Sequence, residues 1–220
     1  MGDRIRHRST GLRERKKQRT RAMLVDAAAK LCLERGYENT TVDQIAAAAE
    51  VSPRTFSRYF PTKDSVVVGV LDGLTDATAA ELAEIPLSVP PLVAIGRAHL
   101  TVLRRVADGG EPGLSINHLV LMVNVISTAS VLRAAAISMR PVGFAENTAA
   151  RLGTDVKDGR VALVLAVWTA IVGVAWGRLV LEPQDFTRCP QIMAERIERV
   201  LDQYDDIASA HTGWGIPSTS

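Results

Sequence analysis

The sequence predicts an all-α protein, built from two helical parts that one further helix joins. Apolar residues recur at spacings of 3, 4 and 7 along most of the 220 residues, and no convincing stretch alternates with a period of two. Hydrophobic residues make up 47% of the chain and aromatic residues only 5%, so a core of packed helices with small aliphatic side chains is expected. Proline and glycine clusters divide the pattern into segments of helical length.

Residues 40–63 predict two short helices separated by a tight turn. Thr41 stands at the N-cap position of the first helix, and Gln44 three residues later completes a capping box. Ser52 and Pro53 suit the N-cap and the first position of the second helix. The inward apolar residues of this helix–turn–helix are Val42, Ile45, Ala46, Ala49, Phe56 and Phe60.

The second of these helices leaves a polar and basic row facing solvent. A helix–turn–helix with such a row fits the major groove of DNA. The same pattern is also compatible with an ordinary pair of packed helices whose charged face is merely solvated, and periodicity leaves both interpretations open. The outward residues are Pro53, Arg54, Thr55, Ser57 and Arg58, with Tyr59 at the edge.

Charge is distributed unevenly along the chain. Residues 1–64 carry fourteen Lys and Arg against eight Asp and Glu, whereas residues 65–220 carry twelve against sixteen. A basic N-terminal third is the electrostatic pattern of a protein that binds a polyanion such as nucleic acid. For residues 1–12 a disordered basic tail is the other interpretation.

Short motifs within residues 36–63 carry a family resemblance. They are Gly36-Tyr37, Thr40-Thr41-Val42, Ile45-Ala46, Val51-Ser52, Thr55-Phe56, Tyr59-Phe60-Pro61 and Lys63. Together they resemble the DNA-binding domain of the TetR family of transcriptional regulators, over residues 17–70. Glu50 departs from the family pattern, which often has glycine there; with a positive φ it would be strained by about 1 kcal/mol.

The resemblance and the side-chain chemistry together indicate which residues contact DNA. Arg54 or Arg58 suits a bidentate contact with guanine, and Thr55 a contact with a thymine methyl group. Thr41, Tyr59 and Lys63 match family positions that commonly contact phosphates. The predicted DNA-binding residues are Thr41, Pro53, Arg54, Thr55, Ser57, Arg58, Tyr59 and Lys63.

The predicted organisation has four segments. Residues 1–12 are expected to be a flexible basic arm, and residues 13–64 a three-helix DNA-binding domain whose first helix begins at residue 13. Residues 65–210 form an all-helical domain for ligand binding and dimerisation, joined by a helix that runs to about Glu84. Pro141 and Gly143 predict a break in that domain. Residues 211–220 are expected to be a loose tail.

Residues 161–177 form a long stretch without charge, which is near the lower length limit for a membrane span. A helix that is apolar all round must otherwise be buried on every side. We favour burial against a second copy of the chain over a membrane span. In the TetR family the last two helices pair with those of a second subunit, and residues 161–181 and 190–205 match that pattern.

The resemblance also implies a small-molecule pocket among the C-terminal helices. Asn117, His118 and Asn124 offer polar groups for it, as pockets usually require. Each candidate residue has an ordinary alternative role in the core. The candidate lining residues are His118, Met122, Asn124, Met139, Phe144, Trp168 and Trp176.

The sequence lacks the signatures of several other classes of protein. We find no phosphate loop, nucleophile elbow, paired-carboxylate motif or metal-ligand spacing, so an enzyme, a cofactor and a metal site are not expected. Two isolated cysteines fit a reduced, cytoplasmic protein. The predicted function is a homodimeric repressor that a small apolar ligand releases from its operator, and the alternative is a non-specific architectural DNA-binding protein.

Overall fold

The computed structural model describes residues 3–128 and 142–210. Within these ranges the chain forms nine α-helices and one 3-10 helix and contains no strand, which confirms the predicted all-α class. The α-helices are α1 Asp3–Arg35, α2 Val42–Ala48, α3 Pro53–Tyr59, α4 Asp64–Glu84, α5 Pro91–Ala107, α6 Ile116–Thr128, α7 Val142–Leu152, α8 Gly159–Trp176 and α9 Cys189–Ala210, and the 3-10 helix is Pro183–Arg188.

Helix α1 begins at Asp3, which corrects the predicted start at residue 13. The physical reason lies in the composition of the segment. Residues 3–12 contain no proline, and their three Arg and one Leu are good helix formers, while the single Gly11 costs only about 1 kcal/mol.

Helices α1 to α3 pack around a small apolar core. Leu24 and Ala28 of α1, Ile45 of α2 and Phe56 of α3 are all fully or almost fully buried. Phe60, which follows α3, is 2% exposed and lies 5.8 Å from Phe56 between ring centroids. The predicted inward faces of the two short helices are confirmed.

Helix α4 connects this unit with the remaining helices and is continuous to Glu84, as predicted. Thr62 and Ser65 form a reciprocal cap at its start, because each backbone N–H donates to the other residue's hydroxyl at 3.2 Å. Its apolar face buries Val66, Val70 and Leu74. Since α4 packs against α1 as well as α5, α6 and α7, it contacts both parts of the molecule.

The end of α4 is held by Arg151 of α7. The guanidinium donates to the carbonyl oxygens of Leu82 and Ile85 at 3.0 and 2.9 Å and of Pro86 at 2.6 Å. These carbonyls lie in the last turn of α4 and in the residues after it, where the regular hydrogen bonds of the helix end. Arg151 therefore anchors the C-terminal end of α4 to α7.

Helix α8 is the one helix of the described ranges that is long and apolar enough to span a membrane. Length and composition of one helix are weak evidence for a membrane span, because a buried core helix has the same length and composition. Asp158 caps its start by accepting the backbone N–H of Arg160 at 2.8 Å. One face buries Leu165, Trp168 and Ile171 against the other helices. The opposite face remains apolar and exposed; its residues are Ala162, Leu163, Ala166, Ala170 and Val174.

Both cysteines are buried in the apolar interior. Cys32 is 8% exposed, and burial raises the pKa of its thiol. Cys189 is fully buried, and burial raises its pKa to about 12. Burial therefore disfavours the reactive thiolate form of both cysteines.

Candidate DNA-binding surface and ligand site

Hydrogen bonds at both helix starts hold the turn between α2 and α3. The backbone N–H of Gln44 donates to the Thr41 hydroxyl at 3.3 Å, and the Gln44 side chain accepts the Thr41 N–H at 3.0 Å. At the start of α3 the Ser52 hydroxyl accepts the N–H of Thr55 at 3.1 Å. The predicted capping box and N-cap are confirmed, so α3 has a defined direction relative to α2.

Glu50, in the turn itself, has a φ of +54° and is the only non-glycine residue of the described ranges with a positive φ. An L-residue with a Cβ is disfavoured there by about 1–2 kcal/mol. Its amide donates to the carbonyl of Ala47 at 3.0 Å, and the amide of Val51 donates to that of Ala46 at 2.9 Å. These two bonds maintain the left-handed residue that the turn requires.

The outer face of α3 carries the side chains predicted to contact bases. Arg54, Ser57 and Arg58 are exposed, and Thr55 is half-buried. The Ser57 hydroxyl donates back to the carbonyl of Pro53 at 3.1 Å. The two arginines thus project from the surface of a short, rigidly capped helix, as contact with base edges in a major groove requires.

Tyr59 closes this face and is half-buried. The Arg58 guanidinium carbon lies 5.2 Å from the centroid of the Tyr59 ring, within the range of a cation–π contact. This contact places Arg58 next to the residue predicted to bind phosphate.

Lys63, predicted to contact phosphate, also makes contacts within the protein. Its Nζ donates to the carbonyl of Tyr37 at 2.7 Å and lies 4.0 Å from the centroid of the Tyr37 ring. The Tyr37 hydroxyl in turn donates to Asp64, and burial together with this carboxylate raises the pKa of the phenol. Lys63 therefore joins the start of α4 to the segment between α1 and α2.

Arg21 forms a second link between α1 and α4 that we did not predict from the sequence. Its guanidinium lies 5.3 Å from the Phe60 ring centroid and donates to the carbonyl of Gly69 at 3.4 Å. A Cβ at Gly69 would lie 2.6 Å from the Arg21 Nη2, so a larger residue would displace this arginine. In the sequence, the only signal for this contact was Gly69, a glycine between two valines of α4.

His118 of α6 forms a third contact between the N-terminal and C-terminal helices. Its Nε2 donates to Asp26 Oδ1 of α1 at 2.7 Å, and its side chain is only 4% exposed. Asn117, beside it, is exposed. The Nε2 of His118 is thus used by α1 and Asn117 is exposed to solvent, whereas the assignment of His118 and Asn124 to a ligand site stays a prediction.

The other candidate pocket residues are distributed over α6, α7 and α8. Met122, Phe144, Trp168 and Trp176 are buried, and Asn124 is partly buried. Met139 and Pro141 lie outside the described residues, as does the predicted tail over 211–220. The structure brings Trp168 and Trp176 together around a residue that the sequence reasoning missed.

That residue is His99, on the buried face of α5. Its ring lies 5.4 Å from the ring of Trp168 and 5.2 Å from the ring of Trp176, between centroids. Its Nδ1 is 3.1 Å from the Thr78 hydroxyl of α4, and its Nε2 has no hydrogen-bond partner within the described ranges. Burial lowers the pKa of His99 to about 4, so the ring is neutral at pH 7. In the sequence, His99 could have been found only as a single polar residue on the apolar face of α5.

Comparison with known proteins places the helix–turn–helix and most of the chain among bacterial regulators. The family model described as bacterial regulatory proteins of the tetR family matches residues 24–70. The chain is 39% identical over 168 residues to the HTH-type transcriptional regulator TcmR of Streptomyces glaucescens, a match that spans 73% of each protein.

Two further matches are more distant. The HTH-type transcriptional regulator YuxN of Bacillus subtilis is 30% identical over 81 residues, which is 37% of this chain and 28% of that protein. A crystal structure of the Thermus thermophilus repressor FadR in complex with lauroyl-CoA covers 91% of this chain and 99% of that one, at 22% identity and a TM-score of 0.48.

Proposed function

Because the chain belongs to the TetR family of bacterial transcriptional regulators, we propose that it is a repressor whose dimer leaves its operator when a small apolar molecule binds. Its class is that of a DNA-binding transcriptional regulator, not an enzyme. The proposal has three parts: that the protein represses transcription, which residues bind DNA, and that a ligand weakens DNA binding.

The surface of α3 carries the proposal. Exposed Arg54 and Arg58 stand on a helix whose start is fixed by Ser52 and whose inner side is anchored by buried Phe56. We propose that α3 enters the major groove, with Thr41, Tyr59 and Lys63 on the flanking phosphates. Phosphate contacts position the protein and base contacts provide sequence specificity.

The exposed apolar face of α8 supports a homodimer. Leu163 is 64% exposed and Val174 66% exposed, with the smaller Ala166 and Ala170 between them on the same face. Contiguous apolar surface of this kind is typical of a protein interface. We propose that residues 161–181 and 190–205 pair with the same residues of a second copy. A two-fold dimer requires operator half-sites about one helical turn, or a multiple of it, apart.

The ligand response is proposed for the C-terminal helices, residues 65–210. Trp168, Trp176 and His99 meet there, and Thr78 of α4 bonds to His99, so a change at this point reaches the helix that leads to residues 13–64. A ligand weakens DNA binding only if it prefers the non-binding conformation, and the coupling is reciprocal. A typical coupling of about 1–3 kcal/mol corresponds to about a 5–150-fold change in operator affinity.

Selection of bound sequences from a random DNA library tests the proposal. The purified protein should enrich a (pseudo)palindromic site, and it should retain a large preference for that site over random DNA as the salt concentration rises. A non-specific architectural protein would enrich no site. That result would refute the regulatory proposal in favour of the alternative.

A further inference from the structure

The protonation of the His99 ring can be assigned from the atoms around Thr78. The Thr78 hydroxyl lies 2.7 Å from the carbonyl oxygen of Leu74, one turn earlier in α4. A carbonyl only accepts hydrogen bonds, so the single hydroxyl hydrogen of Thr78 is donated to it. The Thr78 oxygen lies 3.1 Å from His99 Nδ1 and has no further hydrogen to donate. Nδ1 must therefore carry a proton and donate it to this oxygen.

A neutral imidazole carries one proton, so a protonated Nδ1 leaves Nε2 as an acceptor. The residue is 5% exposed, and Nε2 is a buried acceptor without a partner in the described ranges. Leaving such an atom unpaired away from water is unfavourable, and buried polar groups without partners are uncommon. The atom therefore requires a donor from outside the described part of the chain.

The side chains around His99 limit the kind of molecule that can donate a hydrogen bond to Nε2. Indole rings of Trp168 and Trp176 contact His99. The indole N–H of Trp176 donates to the carbonyl of Met193 at 3.1 Å, so it is already used. A molecule that reaches Nε2 therefore lies among aromatic and aliphatic groups, which favour a flat apolar body. An ionised carboxylate has no hydrogen to donate and could not form a hydrogen bond with the unprotonated Nε2.

From these contacts we propose that His99 Nε2 accepts a hydrogen bond from a hydroxyl group on an uncharged, largely aromatic ligand, which binds where α4, α5 and α8 meet. This rests on the proposed ligand response and specifies the class of ligand. Because Nδ1 of the same ring donates to Thr78, the ligand's hydrogen bond is connected directly to α4. His99 is a ligand-binding residue and Thr78 is the residue that sets its tautomer.

Nitrogen-15 NMR of the histidine rings in the full-length protein tests the assignment directly. His99 should show a protonated Nδ1 and an unprotonated Nε2 in the ligand-free protein at pH 7. A protonated Nε2 would overturn the proposal.

Three related probes then test the ligand class by calorimetry: 2-naphthol, 2-methoxynaphthalene and 2-naphthoate. The first donates a hydrogen bond, the second keeps the oxygen without the hydrogen, and the third carries a charge. We expect 2-naphthol to bind about tenfold more tightly than the other two, which is the usual effect of one neutral hydrogen bond. It should also shift the Nε2 resonance. Equal affinity for 2-methoxynaphthalene, tighter binding of 2-naphthoate, or no binding of 2-naphthol would refute the proposal.

A pair of matched variants separates this role from a structural one. Thr78→Val removes the acceptor for Nδ1 and should abolish both the tautomer preference and the preference for 2-naphthol. Thr169→Val removes the same kind of hydroxyl-to-carbonyl bond, 2.8 Å long, from α8 and should change neither. Loss of the preference in both variants, or in neither, would contradict the role of Thr78.

These results are independent of DNA binding. Failure of the probes would leave the operator selection unaffected, whereas failure of the selection would leave the His99 tautomer measurable.

Discussion

The imidazole of His118 on α6 and the carboxylate of Asp26 on α1 are joined by a hydrogen bond of 2.7 Å. The two residues are 92 positions apart in the chain and connect the N-terminal helices to the C-terminal ones without passing through α4. His118 is almost fully buried, whereas the side chain of Asp26 is 66% exposed. The N-terminal helices are therefore connected to the C-terminal helices by this hydrogen bond as well as by α4.

Asp26→Ala should lower the free energy of unfolding by about 1 kcal/mol, because it leaves a buried imidazole N–H without its acceptor. Asp26→Asn retains an acceptor oxygen and should lose less. Urea unfolding of the three proteins measures the difference. Equal stability of Asp26→Ala and the wild type would mean that water replaces the carboxylate at no cost.

Arg54→Ala and Arg58→Ala should each weaken operator binding by about 1–3 kcal/mol if the arginine contacts a base, and relax the preference at one base position. Arg97→Ala is the matched control, because Arg97 is exposed on α5 far along the chain from α3. Fluorescence anisotropy with operator variants makes the comparison. Unchanged affinity of both α3 variants for every sequence would remove α3 from the DNA interface.

Lys63→Ala should weaken binding evenly across DNA sequences and reduce the slope of log K against log salt by about one unit, as loss of one phosphate contact does. It should also reduce stability, because Nζ donates to the Tyr37 carbonyl. Titrations at several salt concentrations separate the two effects. Lys30→Ala, at an exposed position of α1, serves as the control. A loss limited to one base position would contradict the phosphate role.

Glu50→Gly should stabilise the protein by up to about 1 kcal/mol, because glycine adopts a positive φ without steric cost. Ala47→Gly, at an exposed position of the right-handed helix α2, should instead destabilise it by about 0.5–1 kcal/mol. Chemical denaturation measures both changes. If both glycines destabilised the protein equally, the left-handed conformation at Glu50 would not be its conformation in solution.

Val174→Arg and Ala170→Arg should yield monomers with poor operator binding, because a buried unpaired charge costs several kcal/mol. Leu87→Arg changes a residue that is 57% exposed between α4 and α5 and should leave the dimer intact. Light scattering at several concentrations gives the mass. Dimers in both α8 variants would exclude this face from the interface.

The sequence by itself determined the local features of the DNA-binding part. The capping box of Thr41 and Gln44, the N-cap of Ser52 and the inward Phe56 and Phe60 depend on neighbours three or four residues away. Such interactions follow from residue type and spacing, so they can be predicted before any fold is known. The start of α1 was predicted ten residues too late because its basic composition suits both a helix and a mobile arm.

Only the tertiary structure decided which polar residues of the C-terminal helices face which partner. His118 bonds to α1 through Nε2, and His99, which the sequence did not single out, contacts two indole rings and has one ring nitrogen without a partner in the described ranges. A helical period gives the buried face of a helix but not the identity of the helix packed against it. That identity depends on the relative rotation of helices distant in sequence, which is settled by packing of the whole core.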